Sequence, residues 1–67
     1  MCAIVGSFDT DTLKMLIDLN SYRGQHSHSF SLFNPIDNIF TVLEQELGPV
    51  KERNISIPKG WYGIVHI

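Results

Sequence analysis

The chain has 67 residues, of which 43% are hydrophobic, and its formal net charge is −2. This length allows one small domain, and this hydrophobic content is typical of a folded chain rather than a disordered one. The five basic residues form no cluster, which argues against a nucleic-acid partner, and no apolar run approaches the ~20 residues of a membrane-spanning helix.

The cysteine and histidine content limits the disulfides and metal sites that the chain can form. The single cysteine excludes an internal disulfide, and the three histidines have no spacing typical of a zinc site. The sequence therefore predicts no metal and no cofactor. It also has no charged segment ahead of an apolar one, as a secretory signal requires. A free cysteine without a targeting segment predicts a cytoplasmic protein.

The first half of the chain predicts a strand followed by a helix. Ala3–Val5 is apolar and β-branched, which favours a buried strand. The polar run Asp9–Thr12 can cap a helix from about Thr10 to Tyr22, which Gly24 would end. Apolar residues lie on two faces of this helix: Leu13, Leu16 and Ile17 on one, Met15, Leu19 and Tyr22 on the other. The wide apolar arc predicts a helix largely buried against a sheet.

A hairpin is predicted after a polar connector. Two apolar strands, Ser29–Phe33 and Ile39–Leu43, flank a segment, Asn34–Asn38, whose proline, asparagine and aspartate residues favour a turn. The connector contains His26 and His28, and we expect both to be solvent-exposed loop residues.

The last third of the chain contains two breaks and a final strand. Gly48-Pro49 and Pro58-Lys59-Gly60 interrupt regular structure, and the segment between them could be a short helix or irregular. Trp61–Ile67 is rich in aromatic and β-branched residues and predicts a strand. His66 on that strand would ordinarily be a hydrogen-bonded core histidine.

Cys2 has two possible roles. If Met1 is removed, Cys2 becomes the N-terminal residue, and its own α-amine can serve as the base for its thiol. The free α-amine titrates near ~8, so part of it is unprotonated at neutral pH. Alternatively, a single cysteine is often just a small buried hydrophobic residue.

Four stretches bear on this choice, in chain order. They are Met1-Cys2-Ala3-Ile4-Val5-Gly6, Tyr22-Arg23-Gly24, Leu47-Gly48-Pro49-Val50 and Tyr62-Gly63-Ile64-Val65-His66. Together they resemble the start of the glutaminase domain of class II glutamine amidotransferases, which are N-terminal-nucleophile hydrolases. The likeness is greatest to the glutaminase domain of glucosamine-phosphate synthase.

The resemblance implies a fold and a reaction. The fold would be α+β, the N-terminal portion of an αββα sandwich, contributing a strand, a helix, a hairpin and a further strand. Cys2 would be the catalytic nucleophile that hydrolyses glutamine to glutamate and ammonia. The implied substrate is glutamine, and His66 would lie near the substrate site.

Several family features are absent from residues 1–67. Ala3 replaces a glycine, and Gln25 and His26 stand where the family has Pro or Tyr and then Asp. The glutamine-binding arginine, the Asn-Gly pair of the oxyanion hole and the acid that holds the substrate amine have no counterpart. The chain is therefore predicted to be a single domain or an N-terminal fragment, inactive by itself. The alternative is a degenerate, non-catalytic protein that binds a protein partner or forms a homo-oligomer.

Overall fold

The computed structural model describes residues 3–20, 27–51 and 54–67. Its elements follow one another as β1 (Ile4–Ser7), α1 (Thr10–Asn20), β2 (Ser27–Asn34), β3 (Ile39–Leu47) and β4 (Tyr62–His66). The four strands form one antiparallel sheet in the order β1-β4-β2-β3. The last strand of the chain therefore lies between the first two.

The helix begins where the sequence predicts, but it buries less of its surface. The Asp9 carboxylate accepts hydrogen bonds from the Thr12 amide and hydroxyl, both at 2.8 Å, which caps the helix. Leu13 and Ile17 are buried in the core, whereas Met15 and Leu19 are 54% and 62% exposed. The prediction of a wide buried arc is wrong, because one sheet face covers one stripe of a helix. Residues 21–26, including Tyr22 and Gly24, lie outside the described ranges.

The predicted hairpin is confirmed, and both of its strands are longer than expected. The Asn34 side-chain oxygen accepts hydrogen bonds from the Ile36 and Asp37 amides, and Asn38 has a left-handed φ of 56°. The pairing register shifts between Phe30 and Ser31, which marks a β-bulge.

The core lies between the helix and one face of the sheet. Its buried apolar residues are Leu13, Ile17, Phe30, Leu32, Val50, Ile55, Val65 and Ile67. Gly63 permits this close packing. A Cβ added there would lie 2.7 Å from an Ile57 side-chain carbon and 2.9 Å from one of Leu13.

The predicted αββα architecture is wrong. The order of strand, helix, hairpin and strand is observed, but the described residues form one sheet with one helix on one face. All four strands hydrogen-bond in that single sheet, so the described residues contain no second sheet for it to face.

Apolar side chains remain exposed away from the core. Pairing and the two-residue repeat of strands place Ile4, Phe40 and Val42 on the helix-free face, and these side chains are 72%, 58% and 53% exposed. Within the described residues, no helix has the length and apolarity needed to cross a membrane.

Candidate functional site

A cavity of about 400 Å³ lies at one end of the sheet, a volume within the range of small-molecule sites. The start of β2 meets the ends of β3 and β4 there. Its lining residues are Ser27, His28, Ser29, Gln45, Glu46, Leu47, His66 and Ile67. Apart from Leu47 and Ile67, all of these side chains carry polar groups.

His28 is the buried polar residue of this cavity. It lies on β2 and is 4% exposed, so the prediction that it belongs to an exposed loop is wrong. The alternation His28, Phe30, Leu32 places all three residues on the core face of the strand. This alternation was visible in the sequence, but the strand was predicted to start at Ser29, two residues too late. His26 lies outside the described residues.

Both ring nitrogens of His28 have hydrogen-bond partners. Nδ1 lies 2.7 Å from the Gly48 carbonyl oxygen, and Nε2 lies 2.6 Å from Glu44 Oε1. A carbonyl oxygen can only accept, so Nδ1 carries a proton and donates it to Gly48. The short Nε2 contact then fits an imidazolium that donates to the Glu44 carboxylate.

Electrostatics favour the charged form of His28. Burial alone lowers the pKa of an imidazole, but the Gly48 carbonyl and the carboxylates of Glu44 and Glu46 outweigh that effect. The net result is a pKa raised above the ordinary value of 6.5. His28, which lines the cavity, therefore forms a partly buried ion pair with Glu44.

His66 and the start of β1 lie at the same end of the sheet. His66 lines the cavity and is exposed, so it is not a core histidine. Ala3 and Ile67 exchange two backbone hydrogen bonds, at 2.7 and 2.9 Å. Ile67 also lines the cavity. Because Ala3 directly follows Cys2 in the chain, this pairing brings the backbone after Cys2 next to the cavity. Cys2 itself lies outside the described residues.

Comparison with known proteins gave no relatives. No family model, no curated protein and no solved structure matches the chain.

The ion pair makes stability depend on pH. The pKa of His28 in the folded chain is raised above 6.5, its ordinary value. Protonated His28 therefore makes its full contribution to stability at a pH below the pKa that it has in the unfolded chain. This contribution is lost as the pH rises through the pKa that His28 has in the folded chain. In protein freed of metal ions by a chelator, we expect the free energy of unfolding in urea to fall as the pH rises above 6.5, the ordinary pKa of histidine. Glu44→Gln should flatten this fall, because it removes the carboxylate that lies 2.6 Å from Nε2 of His28. An equally steep fall in Glu44→Gln would contradict this assignment.

Proposed function

We propose that this chain supplies the nucleophile of a glutaminase, with Cys2 as the N-terminal residue and the cavity as the place where the glutamine side chain binds. One structural observation carries the proposal. Ala3, the residue after Cys2, pairs with Ile67 on the cavity wall. The four stretches that resemble class II amidotransferases, of which the first contains Cys2, support the same reaction.

The reaction follows from the chemistry of an N-terminal cysteine. The α-amine of Cys2 accepts the thiol proton, and the sulfur attacks the side-chain amide carbon of glutamine. The carbon–nitrogen bond breaks, the amine returns the proton to the leaving nitrogen, and ammonia departs. Water then attacks the resulting thioester, which releases glutamate and regenerates the thiol.

The cavity has suitable groups for a polar amino acid. Ser27 and Ser29 provide hydroxyls and Gln45 an amide, and these groups can form hydrogen bonds with the polar groups of the substrate. His66 also lines the cavity, next to Ile67 in the chain. We assign it no proton-transfer step.

A second candidate function is binding without catalysis, with association of two copies of the chain. The observation that favours it is the edge strand β3, whose Phe40, Val42, Leu43 and Leu47 are all more than half exposed. Exposed apolar edge strands are prone to pair with another chain. The two functions differ in their dependence on Cys2, because association through β3 does not require a thiol.

The test of the glutaminase proposal separates the amine from the thiol. Inserting a lysine between Met1 and Cys2, in the natural product that carries residues 1–67, leaves the thiol but removes its neighbouring free amine. We expect glutamate release from glutamine to be lost, while the thiol still reacts with iodoacetamide. Trimming the extended protein back to Cys2 should restore hydrolysis. Full activity in the untrimmed protein would overturn the proposal.

A further inference from the structure

We propose that His28, Glu44 and Glu46 form a binding site for a divalent transition-metal ion of the zinc type. The potential ligand atoms of these three residues lie within 4.8 Å of one another. Sequence spacing does not reveal this site, because its ligands come from two strands and lie 16 and 18 positions from His28. The site is independent of the proposed role of Cys2.

The strand register explains why the three side chains converge. His28 on β2 lies directly opposite Glu46 on β3, and Phe30 lies opposite Glu44. Directly paired residues share a face, and so do residues two apart on one strand. All three side chains therefore project from the core face at the same end of the hairpin.

The orientation of His28 is that of a metal ligand. Histidines that bind metals usually donate their second ring N–H to a carbonyl or carboxylate, which fixes the tautomer. The Nδ1–H of His28 donates to Gly48 in this way and directs Nε2 toward the two carboxylates. A metal ion would replace the single proton between Nε2 and Glu44 Oε1, now 2.6 Å apart. The ligand atoms of a tetrahedral zinc ion lie roughly 3.4 Å from one another. The Glu44 carboxylate therefore has to move away from Nε2 by roughly 1 Å to admit the ion.

The ligand set selects the class of ion. One imidazole nitrogen with two carboxylates suits zinc and similar transition metals, whereas calcium requires six to eight oxygens. Neutral His28 and two ionised glutamates balance the charge of a divalent cation. His28 and Glu46 also line the cavity, so the open coordination position that three protein ligands leave would face it.

Zinc titration by calorimetry tests the site. The experiment uses the Cys2→Ala chain, so that the thiol contributes no ligand. We expect one zinc per chain, and Glu46→Gln should weaken binding by at least about tenfold. Glu46 is exposed, so this change should leave the fold intact by circular dichroism. Asp11→Asn is the matched control, because it removes an exposed carboxylate from the helix and should leave the affinity unchanged.

Nitrogen-15 spectra of the histidine rings give a second measurement that needs no substitution at the site. Zinc should shift Nε2 of His28, while Nδ1 keeps its proton and its bond to Gly48. The absence of zinc binding would overturn the proposal. So would equal affinity in Glu46→Gln, or a zinc-induced shift confined to His26 or His66.

Discussion

Replacing Cys2 by alanine is expected to abolish glutamine hydrolysis by the natural product that carries residues 1–67. Alanine has no atom that can form the thioester, and the remaining α-amine cannot take the place of the sulfur. Loss of a nucleophile that acts as a unit with its base lowers turnover by on the order of 10³-fold or more. The measurement is glutamate release from glutamine, followed by an enzyme-coupled assay.

The neighbouring position supplies the control for this substitution. Ala3→Gly restores the glycine that the amidotransferase pattern has after its cysteine, and it should preserve activity. Circular dichroism should show the same fold in both variants. Glutamate release by Cys2→Ala at the rate of the unchanged protein would exclude Cys2 as the nucleophile. If the unsubstituted chain hydrolyses no glutamine but self-associates, and Cys2→Ala self-associates to the same extent, the result would instead favour the binding function.

Leu13→Ala is expected to remove about half of the stability of the domain. Leu13 is 0% exposed, and it packs between the helix and the sheet near Gly63. Removing a buried leucine side chain costs about 2–5 kcal/mol, because the surrounding atoms fill the cavity only in part. A folded chain of this length has roughly 3–10 kcal/mol in total. Urea unfolding measures the difference.

Met15 on the same helix is the matched control. Its side chain is 54% exposed, so Met15→Ala removes a side chain of similar size with little lost burial. We expect a change within about 0.5 kcal/mol. Equal losses for Leu13→Ala and Met15→Ala would contradict the packing of α1 on the sheet.

Local patterns in the sequence predicted the elements of this fold. The Asp9 cap and the Asn34–Asn38 turn act through neighbouring backbone groups, so a few consecutive residues are enough to indicate them. The order of the sheet is different. β4 inserts between β1 and β2, and no local pattern specifies which strand edges meet. The expected αββα layers came from the resemblance, and the strand pairing shows one sheet instead.

The candidate site was only partly predictable for the same reason. The two-residue repeat could have placed His28 beside Phe30 on a buried face, and Glu44 beside Glu46 on another strand. Their meeting depends on the hairpin register, which a bulge near Ser31 alters. The role of Cys2 as a nucleophile was inferred from its position after Met1. It remains a prediction, because the described residues begin at Ala3.

Mass spectrometry of the N-terminal peptide during turnover tests the central claim most directly. The natural product is mixed with glutamine, quenched in acid within the first turnovers and digested. The proposed function predicts a peptide that begins at Cys2, without Met1, and carries a glutamyl group on the cysteine sulfur. A peptide that keeps Met1, or a Cys2 that stays unmodified while glutamate accumulates, would contradict it.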